Sequence, residues 1–322
     1  MDFYSIIIYG YLALAAFFIY VIGRDQKNKK CVFGRHKILA WFIISALFIG
    51  IAVSIYARFV EPYILLTKKI EIKNDKITNP IKIALITDIH AGNGKKTKWV
   101  EKIVKKVETE NPDIILIAGD LICNEGVFED ETVYLEPLQK LADEYPVYAT
   151  LGNHEYGMGN VNRFNKDLQT GDKSEEVITM LNKIGVHLLI NRLRCIDGEE
   201  TNLCLFGLDD IWGGKIDFTE LYDWDQSSPL IFLSHNPDGA TLWPEQFAKP
   251  ILMLSGHSHG GQIWIPFIGP LGNAGISLGK NFYRGLNYYN DIPIYTSAGT
   301  GESGGAIRLF NPPEIIIINI TP

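Results

Sequence analysis

The chain has 322 residues and a formal net charge of −7 at pH 7. That length allows one large domain or two smaller ones, with enough apolar material for a sizeable core. The mildly acidic balance argues against a protein that binds nucleic acid through a broad basic surface, so we expect no nucleic-acid partner.

Two apolar segments lie near the N-terminus. Residues 4–23 and 38–57 contain neither a charged residue nor a proline, and each is about long enough to cross a hydrocarbon core of ~30 Å. Residues 24–37 between them carry six Lys or Arg and one Asp. The positive-inside rule therefore predicts that this loop is cytoplasmic and that everything after residue 57 lies on the far side of a membrane. A cleaved signal peptide leaves the second segment unexplained, and a pair of buried core helices is the other alternative.

Strands and helices alternate after residue 80. Apolar runs at 81–87, 113–118 and 147–151 are typical of buried strands, and residues 97–110 and 132–142 have the spacing of amphipathic helices. This βαβ order predicts a sheet with helices packed on it. A polar cluster follows each of the three strands: Asp88-Ile89-His90, Gly119-Asp120 and Gly152-Asn153-His154-Glu155. Because open α/β sheets bind ligands at the carboxyl ends of their strands, we expect the clusters to meet.

Two later strands are also followed by histidines. Residues 229–233 precede His235, and residues 251–254 precede Gly256-His257-Ser258-His259-Gly260. The remaining expected elements are a surface loop at 157–174, a helix at 174–183 with Ser174 as its N-cap, a short helix at 239–247, and strands at 294–297, 306–310 and 315–320.

Cys195 and Cys204 flank a predicted hairpin turn at residues 197–200. In an oxidising compartment the two thiols could form a disulfide across the hairpin. Two free cysteines on neighbouring strands are the alternative, and the sequence leaves both open.

The polar clusters contain a set of metal-ligand types. Five of the seven histidines lie in them, whereas His36 and His187 do not and are interpreted as structural or incidental. The set comprises His90, His154, His235, His257 and His259 with Asp88, Asp120 and Asn153. These are more donors than one metal ion needs, and they would suit two ions ~4 Å apart bridged by a carboxylate. Nitrogen and oxygen donors favour Mn²⁺, Fe or Zn²⁺, and no cysteine occupies a ligand position.

The order of these motifs resembles that of the calcineurin-like metallophosphoesterase superfamily, over roughly residues 81–320. The segments His235-Asn236-Pro237-Asp238 and Gly256-His257-Ser258-His259-Gly260-Gly261-Gln262 resemble its membrane-associated bacterial branch. One departure is Thr87, where serine is more usual, but the hydroxyl is kept.

The resemblance implies an α/β fold of the α+β, four-layer kind, in which a double β-sandwich is flanked by helices and preceded here by two transmembrane helices. It implies that Asp88, His90 and His259 bind one divalent ion. Asn153, His235 and His257 would bind a second, and Asp120 would bridge both, with manganese the favoured metal. His154 would stabilise or protonate the leaving oxygen of a phosphate ester; a capping or supporting role is the alternative.

The resulting interpretation is a metal-dependent phosphoric ester hydrolase of the bacterial cell membrane, with its catalytic domain on the outer side. Residues 1–60 would form the anchor, 61–80 a connector and 81–322 the metallophosphoesterase domain. Two divalent ions would neutralise the phosphate and activate a water that bridges them. The anchor favours a lipid-linked phosphate as substrate.

Several segments are candidates for substrate contacts. Residues 269–275 and 282–285 could frame the pocket, with Arg284 as a phosphate contact. An aromatic-rich stretch could line an acyl groove, although ordinary packing is the alternative; its members are Trp212, Phe218, Leu221, Tyr222 and Trp224.

Two other functions stay open at this stage. One is a UDP-2,3-diacylglucosamine pyrophosphatase of lipid A biosynthesis, but that substrate is made on the cytoplasmic side and conflicts with the expected orientation. The other is a catalytically inactive membrane scaffold, which the complete ligand set argues against.

Overall fold

Two six-stranded β-sheets lie at the centre of the fold. The structure is a computed structural model that describes residues 3–92, 94–124, 129–159, 170–197 and 202–322. Both sheets mix parallel and antiparallel neighbours, and helices are numbered with the strands in chain order.

The first sheet contains the strands that precede the first three polar clusters. Strands β2 to β5 run parallel to one another, β14 is antiparallel to β2, and β1 is parallel to β14 at the edge. In spatial order the strands are β1 (Leu66–Lys73), β14 (Glu314–Thr321), β2 (Ile81–Ile86), β3 (Ile114–Ala118), β4 (Val147–Thr150) and β5 (His187–Leu188).

The second sheet carries the strands that precede the later histidines. Its four central strands are parallel and both edge strands are antiparallel to their neighbours. In spatial order they are β12 (Gly285–Tyr289), β13 (Ile292–Thr296), β9 (Leu252–Ser255), β8 (Leu230–Leu233), β7 (Asn202–Gly207) and β6 (Arg192–Asp197). A small hairpin, β10 (Trp264–Ile265) with β11 (Gly269–Pro270), lies outside both sheets.

The alternation of side chains along β2 shows how the layers pack. Ile83 and Leu85 face the second sheet, where they join a core that includes Ile231 and Leu254. Ala84 and Ile86 face the other way, toward helices α4 (Thr97–Glu108) and α6 (Ser174–Lys183). Successive side chains of a strand point to opposite faces, and burying each large aliphatic side chain stabilises the fold by about 1.5–3 kcal/mol.

Short 3₁₀ helices cover the outer face of the second sheet. The segments Thr219–Asp223 and Pro237–Leu242 pack there over a core that includes Phe206 and Phe232. The result is two sheets face to face with helical layers outside them, so the predicted double β-sandwich flanked by helices is confirmed.

Two long helices precede the sandwich and pack against each other. They are α1 (Phe3–Asp25) and α3 (Lys37–Phe59), joined through the single-turn α2 (Val32–Arg35). Both are long and apolar enough to cross a membrane. Their domain-side ends are attached to the sandwich: Arg58 Nη1 donates a hydrogen bond to the Ala306 carbonyl at 3.0 Å, and the Arg308 amide donates to the Ala57 carbonyl at 2.9 Å.

Some predicted elements differ in the structure. The helix expected at 132–142 is a 3₁₀ helix, Glu131–Leu138, followed by α5 (Gln139–Glu144); Pro137 lacks the amide hydrogen that an α-helix needs there. The helix expected at 239–247 is the 3₁₀ helix Pro237–Leu242. The segment expected as connector contains β1, which pairs with β14 along its whole length.

Two further corrections concern local detail. Residues 306–310 form only a single bridge, between Leu309 and Ile263, and the backbone amide of Arg308 is bound by the Ala57 carbonyl of α3 instead of by a neighbouring strand. Helix α6 begins at Ser174, so this residue is not its N-cap; the Asp172 carboxylate accepts the Ser174 amide hydrogen at 2.9 Å. Of the expected loop at 157–174, residues 160–169 lie outside the described residues.

The two cysteines of the predicted hairpin form a disulfide. Cys195 in β6 and Cys204 in β7 are direct partners across the antiparallel pair, and their sulfur atoms are bonded. Of the two alternatives that the sequence left open, the structure therefore has the bridged one.

Arg308 is the largest fully buried side chain among the described residues. Its guanidinium donates to Glu302 Oε1 at 2.9 Å, to the Asn311 carbonyl at 3.0 Å and to the Ala298 carbonyl at 2.8 Å. It also binds the carbonyl of Gly301. One cation thereby fixes the segment that follows β13.

Replacing this cation should destabilise the fold. Arg308→Met removes one of the two cations that bind the Glu302 carboxylate, the other being Lys95, and leaves three carbonyls without their donor. Breaking a buried charged network costs about 3–5 kcal/mol. We expect a clearly lower midpoint of thermal unfolding for the purified full-length chain, followed by near-UV circular dichroism. Arg194→Met, on an exposed side chain of β6, is the matched control; equal midpoints for the two variants would contradict the assignment.

Candidate metal centre

The polar clusters meet where the two sheets adjoin, at the carboxyl ends of their strands. Several of their residues have a left-handed backbone: φ is 50° at Asp88, 46° at His90, 51° at Asp120, 70° at His257 and 50° at His259. Non-glycine residues adopt this conformation at a free-energy cost and cluster at functional sites. The strained backbone turns these side chains toward one another.

Glycine allows the clusters to approach closely. A Cβ atom on Gly256 would lie 2.2 Å from Asp88 Oδ2, and one on Gly152 would lie 2.3 Å from Asp120 Oδ1. Any larger residue at either position would displace a carboxylate of the site.

Four residues form the first donor group: Asp88, His90, Asp120 and His259. All four are buried. His90 Nε2 lies 3.4 Å from Asp120 Oδ2, and His259 Nε2 lies 3.6 Å from Asp88 Oδ1. One donor atom from each residue lies within 4.8 Å of the others, which is compatible with a single ion.

The second donor group shares Asp120 with the first and adds His235 and His257. His235 Nε2 lies 3.1 Å from Asp120 Oδ2 and 3.3 Å from His257 Nδ1. Asn153 belongs to the same place, since its Oδ1 lies 3.1 Å from His235 Nε2 and 2.8 Å from His257 Nδ1. All seven residues that the sequence predicted as ligands are therefore brought together around Asp120.

Backbone carbonyls orient the imidazoles of these groups. His235 Nδ1 lies 2.8 Å from the Ala118 carbonyl, His257 Nε2 lies 3.0 Å from the Ala274 carbonyl, and His259 Nδ1 lies 3.1 Å from the Gly301 carbonyl. A ring nitrogen next to a carbonyl must carry the hydrogen, so in the neutral imidazole, the form that binds a metal, the other nitrogen of each ring presents a lone pair to the centre.

The donor set fits a pair of cations. Lone pairs of His235 and His257, together with oxygens of Asp120 and Asn153, point at one small volume, and such acceptors repel each other unless a cation lies between them. Both ring nitrogens of His90 and Oδ2 of Asp88 are buried without a hydrogen-bond partner among the described residues. Buried polar atoms normally have a partner, and a metal ion would supply it.

The charges around Asp120 also favour cations. Burial alone would raise the pKa of Asp120, but His235 and His154 hold it well below its usual range. Burial alone would lower the pKa of His235, yet the neighbouring Asp120 and Asp88 carboxylates raise it to about 10. Burial and the neighbouring His235 lower the pKa of His257 to about 3. The Asp120 and Asp88 carboxylates thus stabilise positive charge on His235, and a charged His235 disfavours a second positive charge on His257.

A cavity of about 510 Å³ opens onto this centre. Asp120, Asn153, His154, His257 and His259 line its polar side. Its apolar side is formed by the side chains of Ile263, Leu271 and Ile307. The cavity is large enough for a phosphate group and part of an apolar substituent.

His154 lies at the wall of this cavity. Its Nδ1 is 2.5 Å from the Cys123 carbonyl, its Nε2 is 3.4 Å from Ser303 Oγ, and its amide donates to Asp120 Oδ1 at 2.9 Å. Its ring packs edge-on against His90, with centroids 4.5 Å apart. It is thus next to both donor groups without belonging to either.

The predicted substrate contacts are only partly at the cavity. Trp212 lines it and packs edge-on against His257, with ring centroids 4.5 Å apart. Phe218, Leu221 and Trp224 pack in the core beside the second sheet. Tyr222 is exposed and packs edge-on against Phe247. The acyl groove inferred from this stretch is therefore wrong apart from Trp212, and ordinary packing accounts for the rest.

Arg284 is likewise not a phosphate contact. Its guanidinium lies over the ring of Trp264, 3.8 Å from the centroid, and donates to Asn311 Oδ1 at 2.9 Å. Of the two segments expected to frame the pocket, residues 271–274 line the cavity, whereas the segment around Arg284 supports the hairpin β10–β11 from outside.

Glu155 is a residue whose role the sequence analysis missed. Its buried carboxylate accepts hydrogen bonds from the amides of Asp120 at 3.0 Å, Leu121 at 2.8 Å, Ile122 at 3.1 Å and Gly152 at 2.7 Å. Burial and the nearby Asp120 charge raise its pKa to about 7, against the effect of these amides. Glu155 fixes the two loops that carry Asp120 and Asn153, and its place in the Gly-Asn-His-Glu cluster was the available signal.

Glu155→Gln should therefore loosen the centre from behind. The amide side chain has one acceptor oxygen instead of two, and each buried amide left without an acceptor costs about 1–3 kcal/mol. We expect a lower midpoint of thermal unfolding and a lower affinity for Mn²⁺, measured by titration calorimetry of metal-depleted protein. Glu176→Gln, on the exposed face of α6, should change neither; unchanged values for Glu155→Gln would rule out this positioning role.

Comparison with known proteins identifies the family. Residues 81–261 match the calcineurin-like phosphoesterase family. A Caenorhabditis elegans protein named as a metallophosphoesterase is 34% identical over 255 residues, covering 75% of this chain and 48% of that protein. An uncharacterized metallophosphoesterase of Campylobacter jejuni is 30% identical over 264 residues, covering 79% of this chain and 62% of that protein. The chain thus spans between about half and two thirds of the length of these relatives.

A third relative has a more specific name. The phosphodiesterase YaeI of Escherichia coli is 26% identical over 245 residues, covering 75% of this chain and 82% of that protein. The family match extends over more than half of the chain and includes all the clusters that meet around Asp120. The chain is a member of the calcineurin-like phosphoesterase family.

Proposed function

We propose that this protein is a metal-dependent phosphoesterase, anchored in a membrane, that hydrolyses phosphate esters with two divalent cations. The observation that carries the proposal is the pair of donor groups that share Asp120. Asp88, His90 and His259 would hold one cation, Asn153, His235 and His257 the other, and Asp120 both. Nitrogen and oxygen donors suit Mn²⁺, which we favour, as well as Fe and Zn²⁺.

Two such cations would neutralise the phosphate oxygens and lower the pKa of a shared water molecule. The chain's own contribution is to preorganise the centre. Asp120 would bring negative charge between two cations that would otherwise repel each other. The carbonyls of Ala118, Ala274 and Gly301 hold the imidazoles in place. Catalytic groups held in advance need no reorganisation during the reaction.

His154 is the proposed general acid. The Cys123 carbonyl fixes Nδ1, so Nε2 is the nitrogen available at the cavity wall. In its protonated form His154 would donate the Nε2 proton to the oxygen that leaves phosphorus, and the negative charge of the nearby Asp120 carboxylate would stabilise the imidazolium.

The two N-terminal helices support a membrane location. Each has 23 residues, a length of about 34 Å at 1.5 Å per residue. Large apolar side chains project from them into the surroundings, among them Phe17, Phe42 and Ile49, whereas a core helix of a water-soluble protein would bury such residues. We propose residues 1–60 as the anchor, a short connector, and a catalytic unit that includes β1 from Leu66 onward.

Two features favour a catalytic domain on the outer side of a bacterial cell membrane. The loop between the helices carries the excess of basic residues typical of the cytoplasmic side. The disulfide between Cys195 and Cys204 is typical of an oxidising compartment. In this orientation a lipid A precursor on the cytoplasmic face would be out of reach, and we propose instead a lipid-linked phosphate ester of the outer leaflet.

The shared carboxylate provides the first test. Asp120→Ala should lower kcat for bis(p-nitrophenyl) phosphate by ~10³-fold or more, because both cations lose their common ligand. It should also lower the bound manganese, measured by inductively coupled plasma mass spectrometry. Asp291→Ala, which removes a fully exposed carboxylate, is the control. Wild-type turnover by Asp120→Ala with its full metal content would refute the proposal.

The leaving group provides the second test. His154→Ala should keep the metal content and lower kcat by ~10²–10⁴-fold for an alkyl phosphodiester. The loss should be much smaller for a p-nitrophenyl ester, whose leaving group needs no proton. His187→Ala, outside the centre, should affect neither substrate. Equal losses on both substrates would argue that His154 only supports the loop.

A further inference from the structure

The hairpin β10–β11 exposes an apolar tip. Its two strands, Trp264–Ile265 and Gly269–Pro270, are joined by Pro266, Phe267 and Ile268. Phe267 is fully exposed, and Ile268 and Leu271 are 74% and 58% exposed. Contiguous exposed apolar side chains on a soluble surface mark a contact with another apolar phase or partner.

The base of this hairpin touches the N-terminal helices. Ile263, the residue before β10, packs in one apolar cluster with Ile8 of α1 and Ala57 of α3. The same cluster contains Leu309, whose neighbour Phe310 adds a further exposed ring. The hairpin therefore lies at the level where the two helices leave the sandwich, which is the level of the membrane surface if the helices span it.

Cationic and amphipathic side chains surround the hairpin. Arg284 lies over the ring of Trp264, and Lys280 Nζ donates to the Pro270 carbonyl at 3.0 Å. Arg58 lies at the end of α3 beside the same cluster. Trp is enriched where a membrane protein meets the lipid headgroups, and basic side chains attract anionic lipids.

The hairpin also borders the catalytic cavity. Ile263 and Leu271, at either side of the hairpin, form part of the apolar wall of the cavity that opens onto Asp120. The Leu271 amide donates to the Ile263 carbonyl at 3.0 Å, which closes the base of the hairpin. An apolar path thus runs from the exposed tip to the metal centre.

We infer that the hairpin tip, Pro266 to Ile268, inserts into the bilayer that holds α1 and α3. It sets the cavity mouth at the lipid headgroups, so that a lipid phosphoester reaches the centre with its acyl chains still in the membrane. The tip lies in the acyl region of the bilayer next to α1 and α3, because the hairpin contacts both helices through Ile263. This inference rests on the proposed membrane anchoring and phosphoesterase activity.

A site-specific fluorescent label tests insertion directly. Ile268→Cys, in a full-length Cys31→Ser background, is labelled with the polarity-sensitive NBD fluorophore and reconstituted into vesicles of equal parts phosphatidylcholine and phosphatidylglycerol. Tyr222→Cys is the matched control, since Tyr222 is 72% exposed and lies beside the opposite part of the second sheet. Cys123 is buried and the other two cysteines are bonded to each other, so neither competes for the label.

We expect the label at position 268 to emit at shorter wavelength in vesicles and to be quenched by nitroxide-bearing lipids roughly threefold or more strongly than the label at position 222. A second label at Phe267 covers the case in which Ile268→Cys does not fold. Equal lipid quenching at 268 and 222 would overturn the inference. So would shielding that appears in detergent and disappears on dilution, because a second copy of the chain would then cover the tip.

Turnover separates this inference from the proposed function. The labelled variants should hydrolyse bis(p-nitrophenyl) phosphate in the presence of Mn²⁺ as fast as the Cys31→Ser parent. Lipid quenching in a parent that shows no turnover with Mn²⁺, Fe²⁺ or Zn²⁺ would refute the phosphoesterase and leave membrane insertion standing. Turnover without lipid quenching would refute membrane insertion and leave the phosphoesterase standing.

Discussion

The carboxylate of Asp120 is the interaction on which the rest of the site depends. It lies within 3.4 Å of both His90 Nε2 and His235 Nε2, which belong to different sheets. A charge shared between two donor groups must be held firmly, and Glu155 does this by binding three successive amides of the Asp120 loop and that of Gly152. The two sheets are thereby joined at their carboxyl ends by charge as well as by their apolar interface.

This arrangement lowers the stability of the centre, and the rest of the fold compensates for the loss. Three features oppose stability: left-handed backbone at several candidate ligands, buried carboxylates, and ring nitrogens of His90 that have no hydrogen-bond partner in the part of the chain that the structure describes. They persist because the β-sandwich over-determines the positions of the strand ends. The buried Arg308 supports the centre in the same way. Its guanidinium binds the Gly301 carbonyl, which also lies next to His259 Nδ1, and so fixes the loop that orients this imidazole.

The sequence was informative where chemistry follows regular structure. Each candidate ligand comes directly after an apolar strand, so its place at the edge of a sheet could be predicted, and the structure brings all seven together. Side chains that bind backbone or pack irregularly have no such period. The role of Glu155 was missed for this reason. Arg284 was assigned to phosphate, but it lies over the ring of Trp264. Residues 306–310 were predicted as a strand, but they form a single bridge. Pro137, by contrast, was a signal in the sequence against a regular α-helix at residues 132–142.

The junction between α3 and the sandwich has a practical consequence. Glu61 is buried and accepts the Asn311 amide hydrogen, and the Ala57 carbonyl accepts that of Arg308, so the end of α3 is bound directly to the sandwich. A version truncated after the helices, as is common for expression in water, would uncover Ile263, Ile307 and Leu309 and lose the partners that order the segment next to the cavity. Preparations of the whole chain, helices included, are therefore the sounder material for kinetics.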